Sequence, residues 1–491
     1  MKEKVLIFGT GKYYITNEKY IEDIFEIVAL IDNDPSKQGK NLNGFQIIHP
    51  QEILEYSFDK IFIASMYIDE IKIQLINLGI PENKIISKDD CERFVQRITK
   101  DIIDKKFMNR IQKKFNNDNK KLVLNKKKIL FCISSLEGGG AEKVLVDLLN
   151  NMNYKKYNVS LVVIFNKGIY FNKINNNVNV ITLFDNQNEI IDGMDIIKYN
   201  SSEYLHKRLI MSKYDVEISF LEGYSTKLIS GADDNTKKIS WVHIDLYRYH
   251  WTKHAYLSME EEKECYGKFN NIIFVSKEAK NGWMNLFQMN NSKLSVIYNL
   301  FESDNIIKLA LENKVTMEKI TFVTVGRLSK QKGYDRLIRA HSKLINEGLI
   351  HNILIIGIGE EELNLKKLCL ELGLNDSVKF IGFKNNPYKY IKNGDVFISS
   401  SRVEGYPLVV GEALILGKAI VATKCTGNNE ILKYGKYGML VDNSEDGIYY
   451  GIKRVLLNKE LIIEYEKRAI LSKIEFNKEN ILSKVYSIIE S

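Results

Sequence analysis

One pattern recurs three times along the chain and constrains its fold more than any other feature. A lysine precedes a short apolar run, and glycine or serine then opens a polar stretch. The copies are Val5–Phe8 leading to Gly9-Thr10-Gly11, Ile129–Ile133 leading to Ser134-Ser135, and Ile320–Val325 leading to Gly326. Short apolar runs bounded by turn residues read as buried parallel strands. Helical patterns follow, as over Ala141–Leu149 and Tyr334–Leu344. Strand, turn and helix in alternation predict an α/β chain with doubly wound parallel sheets. Three openings predict three such units, in keeping with 491 residues at roughly 100–200 per domain.

Composition narrows the class. Hydrophobic residues make up 45% and charged residues 27%, which excludes wholesale disorder. The net charge of +8 is modest for this length; it fits anionic small ligands or an acidic membrane surface and does not call for nucleic acid. The five cysteines are scattered with no C-x-x-C pair, so neither a disulfide framework nor a cysteine-ligated metal site is expected. Val5–Phe8 is too short for a signal-peptide core, and no apolar run reaches the ~18–20 residues of a membrane span. The expectation is a cytoplasmic protein, at most peripheral on the inner face of the cell membrane.

Residues 1–95 form the first Rossmann-like unit. Gly9-x-Gly11 follows a strand, and Val28–Ile31 ends in Asp32, near the spacing of a ribose-binding acid. Gly9, Gly11 and Asp32 are therefore a possible nucleotide site. Tyr14 stands at the third fingerprint position, where a small residue would let the helix pack closely. Asp32-Asn33-Asp34 precedes Pro35 and reads as a turn rather than a metal motif. Residues 96–125 are a basic linker, with Arg97, Lys100, Lys105, Lys106, Arg110, Lys113, Lys114, Lys120 and Lys121. Ile103, Phe107, Ile111 and Phe115 fall four apart, as in a helix with an apolar stripe. Packing of that helix on a neighbouring domain is the favoured reading; contact with an anionic membrane surface is the alternative.

Four features concentrate the chemistry in residues 126–475. The glycine run Gly138-Gly139-Gly140 lies between a strand and a helix, where backbone N–H groups can meet an anion. Arg327 and Lys332, in Gly326-Arg327…Lys332-Gly333, are two cations on a loop after the third opening strand, suited to offset the charge of a diphosphate. Glu404 and Glu412 are eight positions apart, the first in a turn made by Gly405 and Pro407, the second inside the following helix. Carboxylates at two depths can accept hydrogen bonds from vicinal hydroxyl pairs of a sugar or a ribose. His243, in Ser240-Trp241-Val242-His243-Ile244-Asp245, follows a short strand. His250 and His254 have no third ligand nearby and are read as non-metal.

Taken together, these residues resemble the retaining GT-B glycosyltransferases of family 4, from near Lys126 to the end of the chain. The E-x7-E stretch Glu404–Glu412 carries most of the resemblance, with Gly326-Arg327…Lys332-Gly333 ahead of it and Gly357-Ile358-Gly359 and Val378–Gly382 between. Phe274-Val275-Ser276 and Val296–Asn299 match the end of the first half. The resemblance implies two Rossmann-like halves facing a cleft, 126–305 for the acceptor and 306–475 for the donor, with a helix at 476–491 returning to the first half. Gly139 and Gly140 would contact the donor, and His243 would sit at the catalytic centre. Arg327 and Lys332 would hold the diphosphate. Glu404, with Gly405, Tyr406, Pro407 and Leu408 after it, would bind donor-sugar hydroxyls, and Glu412 the ribose. Tyr406 stands where the family usually has Phe. Glu222 and Asp245 are candidates on the acceptor side. Catalysis would use a nucleoside-diphosphate sugar, with a UDP-sugar favoured, and need no metal or other cofactor. The acceptor would be a glycan or a lipid-linked precursor of a surface polysaccharide.

Residues 1–95 resemble the nucleotide-binding domain of bacterial sugar O-acyltransferases and polysaccharide-biosynthesis epimerases. That resemblance rests on the glycine turn, Ile31–Pro35, Gly39…Gly44 leading to Ile47–Pro50, and Ile61–Ser65. Two other readings of the whole chain stay open: a GT-B-fold nucleotide-sugar epimerase, and a catalytically silent binding subunit of a glycosyltransferase complex.

Overall fold

The structure, a computed structural model, describes residues 2–65, 67–87, 90–119, 123, 125–289, 293–312 and 315–491. Lys120 and Lys121 of the basic linker lie outside these. The chain divides into two compact units. The first comprises Met1–Lys113 with Gln187–Leu209, and the second Lys114–Asn186 with Ile210–Ser491.

The first unit is built on a sheet of β1 (Lys4–Phe8), β2 (Glu26–Ile31), β3 (Asn41–Leu42), β4 (Phe45–Ile48), β5 (Lys60–Ile63) and β6 (Ile85–Ser87), in the order β3-β4-β2-β1-β5-β6. All neighbours are parallel except the β3–β4 edge pair. Val5 to Phe8 are buried, as expected of a central parallel strand covered on both faces. Tyr14 does not disturb the helix Lys12–Ile24. Its ring is fully buried and its hydroxyl donates to Glu18 at 2.8 Å, so the position is filled by a large core side chain instead of a close helix contact.

Ile103, Phe107, Ile111 and Phe115 are all buried, along helix Glu92–Ile102, one π-helical turn over Ile103–Phe107, and helix Met108–Asn119. Five of the cations of this stretch have acidic partners: Arg97 with Asp23, Lys105 with Asp101, Lys106 with Asp192, Arg110 with Glu189 and Lys114 with Asp185. Two of these acids, Glu189 and Asp192, sit in Gln187–Leu209, within the span 126–305. Helices Gln187–Tyr199 and Ser202–Leu209 instead belong to the first unit, joined there by Arg110–Glu189 at 2.7 Å and by Asn200 donating to Thr99 at 2.8 Å. Such partners are far apart in sequence, so no local pattern announces the insertion.

The second unit holds two parallel sheets. One runs β13-β12-β11-β10-β7-β8-β9, from β7 (Lys127–Ile133), β8 (Tyr157–Phe165), β9 (Val178–Phe184), β10 (Val216–Ser219), β11 (Lys237–Val242), β12 (Asn271–Phe274) and β13 (Leu294–Val296). The other runs β16-β15-β14-β17-β18-β19, from β14 (Thr321–Val325), β15 (Asn352–Ile356), β16 (Val378–Phe380), β17 (Val396–Ser399), β18 (Ala419–Thr423) and β19 (Met439–Val441). In both, the chain winds outward from the first strand, then returns to its other side. The gap opened at that reversal, beyond the carboxyl ends of the strands, is where α/β sheets bind ligands. β7 beside β10, and β14 beside β17, mark these points. The final helix, Lys478–Glu490, lies against the first of these sheets, where Tyr486 stacks on Tyr157 at 5.7 Å and Lys127 donates to the Ile489 carbonyl at 3.0 Å.

Candidate active site

The loops that leave β7, β10, β11, β14 and β17 at their carboxyl ends carry the residues singled out above. After β14 the chain turns through Arg327 to Lys332, and Gly333 begins helix Tyr334–Asn346. After β17 it turns through Glu404 to Pro407, which caps helix Leu408–Ile415. Because β14 and β17 are neighbours, these loops meet. The Lys332 Nζ lies 2.6 Å from Glu404 Oε1, and the Ser401 hydroxyl donates to the same oxygen at 2.6 Å. Glu404 is buried. Arg327 is open to solvent and pairs with Glu360 at 3.3 Å.

Glu412 is also buried, in a different setting. Its Oε1 accepts from Lys143 Nζ at 2.8 Å and from the Tyr388 hydroxyl at 3.2 Å. Lys143 comes from the helix after the glycine run and also lies 3.4 Å from Asp147. Burial works against the Lys143 charge, but Glu412 and Asp147 outweigh it and hold the pKa well above the usual lysine value. Sequence reasoning missed Lys143. Its signal is a charged pair four apart, Lys143 and Asp147, in the otherwise apolar stretch Lys143–Leu149.

The two sheets' loops touch directly. Gly405 packs on the His243 backbone; a Cβ at 405 would fall 1.8 Å from the His243 carbonyl oxygen, so only glycine fits. Asn299 donates to the Tyr406 carbonyl at 2.9 Å, and the Tyr406 and Tyr298 rings stack at 4.9 Å. Thr426 donates to Asp245 at 2.9 Å. The Glu430 carboxylate accepts the Lys277 and Glu278 N–H groups at the start of helix Lys277–Phe287, at 2.8 and 3.2 Å. Leu408 lies 3.7 Å from where a Cβ on Gly140 would be.

The His243 ring sits among Phe220 and Trp241 at the end of β11. Burial lowers its pKa to about 3, against a hydrogen bond to the Phe220 carbonyl, so the imidazole is neutral at pH 7. Its Nε2 has no hydrogen-bond partner and is an acceptor in that tautomer. Glu222 lies behind it, fully buried. One oxygen accepts the His243 N–H at 2.9 Å and the other the Trp251 indole at 3.1 Å. Burial pushes the Glu222 pKa up to about 7 despite these bonds. Asp245 accepts the Tyr247 and Arg248 N–H groups on one oxygen and Thr426 on the other. Both acids expected on the acceptor side are thus engaged within the protein. His250 pairs with Glu262 at 2.7 Å. Among the described residues, no three His, Cys, Asp or Glu side chains gather where they could hold a metal ion, and no helix is long and apolar enough to cross a membrane.

In the first unit, Gly9 has φ +107°, and a Cβ there would fall 2.9 Å from the Ala64 carbonyl oxygen; Gly11 has open space around it. The Asp32 carboxylate is taken up by its own loop. It accepts the N–H groups of Thr10 and Asp34 at 3.2 and 2.9 Å, the Thr10 hydroxyl, and Lys37 at 3.0 Å. Burial opposes the charge, yet these bonds hold its pKa below the usual carboxylate range. Asp34 accepts from Ser36 and Lys37, so this segment forms a turn.

Residues 308–473 match the family model for glycosyl transferases group 1, and residues 1–86 match that for the C2185-like N-terminal domain. An uncharacterized glycosyltransferase of Haemophilus influenzae is 25% identical over 72% of this chain and 98% of its own length. The Campylobacter jejuni N-acetylgalactosamine-N,N'-diacetylbacillosaminyl-diphospho-undecaprenol 4-alpha-N-acetylgalactosaminyltransferase is 32% identical over 42% of this chain and 55% of its own. Among solved structures, Anabaena HepE in complex with UDP and glucose superposes with a TM-score of 0.59 at 19% identity, over 74% of this chain and 100% of that one. Sucrose-phosphate synthase from Thermosynechococcus elongatus gives 0.61 at 14% identity, over 74% and 98%. These likenesses agree with the paired sheets and their loop chemistry: the chain has the GT-B fold, and its residues 308–473 resemble the glycosyl transferases group 1.

Proposed function

We propose that this protein transfers a sugar, with retention of anomeric configuration and without a metal, from a UDP-sugar to a glycan or lipid-linked acceptor in surface polysaccharide synthesis. The observation that carries the reading is the Lys332–Glu404 pair on loops beyond the carboxyl ends of adjacent strands, with Gly405, next to Glu404, packed on the His243 backbone. A cation and a carboxylate 2.6 Å apart suit the junction of a sugar and its phosphate. Glu404 Oε2, which neither Lys332 nor Ser401 touches, accepts sugar hydroxyls. The neutral His243 Nε2 accepts another. Lys332 and the solvent-facing Arg327 hold the diphosphate, and Glu412 Oε2 meets the ribose. The backbone over Gly405, Tyr406, Pro407 and Leu408 lines the sugar, with Gly139 and Gly140 opposite.

As the bond from the anomeric carbon to the phosphate oxygen breaks, its electron pair goes to that oxygen. The acceptor hydroxyl attacks on the same face and passes its proton to the departing phosphate. Lys332 and Arg327 act because their attraction grows with the charge of the leaving group. The Campylobacter relative is named for an alpha linkage to a diphospho-undecaprenol acceptor, which supports a retaining reaction and a lipid-linked acceptor here. The first unit is read as a docking or nucleotide-binding module without chemistry of its own, and the protein as cytoplasmic and at most peripheral on the membrane.

Lys332→Ala and Glu404→Ala should each lose transfer by about 10²–10³-fold, the cost of removing one preorganised stabilising group, with circular dichroism unchanged. Near-normal turnover in both would remove the site assignment. An epimer formed from the UDP-sugar alone would replace transfer by isomerisation.

A further inference from the structure

A buried cation of the half built on β7 holds a carboxylate of the half built on β14. Lys143, on helix Gly140–Asn150, donates to Glu412 Oε1 at 2.8 Å, and the Tyr388 hydroxyl donates to the same oxygen at 3.2 Å. Lys143 also lies 5.9 Å from the centre of the Tyr388 ring and 3.4 Å from Asp147. Lys143 and Asp147 belong to the first of these halves, Glu412 and Tyr388 to the second. Both donors use Oε1. Oε2 takes no hydrogen bond among the described residues, and it is not shut away from solvent as Glu142 Oε2 is. The Glu412 side chain is only 4% exposed, so the opening at Oε2 is narrow.

The terminal torsion of a glutamate is soft, and a free carboxylate offers either oxygen. Here two donors from different helices pin one oxygen, which fixes the direction of the other. A buried carboxylate also needs a cation beside it to keep its charge. Lys143 therefore supplies both charge balance and aim. An oxygen presented this way has two lone pairs, enough for both hydroxyls of a vicinal diol, and it repels phosphate. The other titratable groups facing Glu412 are Asp147 on the helix of Lys143, Tyr388, and Tyr170 in the stretch after β8. Burial raises the pKa of each, that of Tyr170 to about 12, so both tyrosines stay neutral through the physiological range.

We propose that Lys143 is a positioning residue for the ribose of the donor: with Tyr388 it holds Glu412 Oε1 and so aims Oε2 at the 2′- and 3′-hydroxyls. This deepens the donor site proposed above and rests on it. Recognition of the nucleotide by one half then depends on a side chain of the other, and the site selects ribonucleotides over their deoxy analogues.

The test is calorimetric binding of UDP, 2′-deoxy-UDP and 3′-deoxy-UDP to the full chain from about pH 6 to 9. Wild type is compared with Lys143→Met, Lys143→Arg and Tyr388→Phe, each first shown to be folded by circular dichroism. Base and diphosphate are common to the three ligands, so their own titrations cancel in the ratio of affinities. Wild type should prefer UDP to either analogue by about 10–100-fold at every pH, the worth of a hydrogen bond to a charged group. In Lys143→Met that preference should drop about tenfold at pH 7 and return toward pH 9, because a buried acid without its cation is neutral until about pH 8–9. Lys143→Arg, which restores a cation, should keep the preference. Tyr388→Phe, which leaves the ion pair in place, should fall between wild type and Lys143→Met at pH 7. A preference in Lys143→Met equal to that of wild type, or one lost equally at pH 7 and pH 9, would overturn the positioning role and leave the donor site standing. Should Lys143→Met not fold, an unchanged preference in Tyr388→Phe overturns it instead. Wild type binding all three ligands alike would overturn the ribose contact of Glu412 as well, and wild type binding none of them would overturn the donor site itself.

Discussion

Two buried histidines, His341 on helix Tyr334–Asn346 and His351 just before β15, make the stability of this half fall in acid. His341 and His351 are fully buried, and a single chain of hydrogen bonds dictates their tautomers. The Leu349 carbonyl can only accept, so His351 Nδ1 donates to it at 2.8 Å. His351 Nε2 must then accept, and His341 Nδ1 donates to it at 2.9 Å. His341 Nε2 is left to accept from the Ser377 hydroxyl at 2.8 Å. Every ring nitrogen is satisfied with both imidazoles neutral. Burial lowers the His341 pKa to about 3, with His351 adding to the effect, and burial lowers that of His351 as well. The unfolded chain takes up a proton at each histidine near pH 6.5, whereas the folded chain does not. Below pH 6.5 the unfolded state therefore binds more protons, and stability declines as pH falls toward 3; above about pH 7.5 nothing is lost. For His341 alone the loss by pH 5 is about 2 kcal/mol. The assay is hydrogen exchange of β14 and β15 peptides, corrected for intrinsic rates, at pH 7.5 and 5.0 in wild type and in His341→Gln. Exchange is the suitable probe because Trp241, Trp251 and Trp283 all lie in the other half. Titrations shared by the two proteins cancel, so wild type should lose about 2 kcal/mol more protection than the variant. Equal losses would refute a neutral buried pair.

Lys143→Met should destabilise the second unit by about 3–5 kcal/mol in urea unfolding, because it leaves Glu412 buried without its cation, and adding Glu412→Gln should restore part of that loss. A cost under about 1 kcal/mol would mean that the pair contributes nothing. Gly405→Ala should lose transfer by more than about 100-fold while the chain stays folded, since the new Cβ collides with the His243 carbonyl and displaces the loop carrying Glu404 by an ångström or so. Unchanged turnover would show that the contact between the halves is dispensable.

The strand-and-turn openings, and with them three sheets, are legible in the residue pattern alone. A short apolar run between polar turns can bury its side chains only as a central strand, and that is a local property. The pattern also places Arg327, Lys332 and Glu404 on loops and Glu412 inside a helix, because glycine and proline punctuate those segments. Which of these residues meet follows from the folded path of the chain. Lys332 reaches Glu404 because β14 and β17 are neighbours, a fact of strand order rather than of either segment. Glu412 is claimed by Lys143, 269 positions away, and Glu222 and Asp245 spend their oxygens inside the protein. Helices Gln187–Tyr199 and Ser202–Leu209 join the first unit through partners near Thr99 and Arg110. Charge pairing and burial depend on distance in space, and the folded path of the chain, not its local pattern, sets that distance.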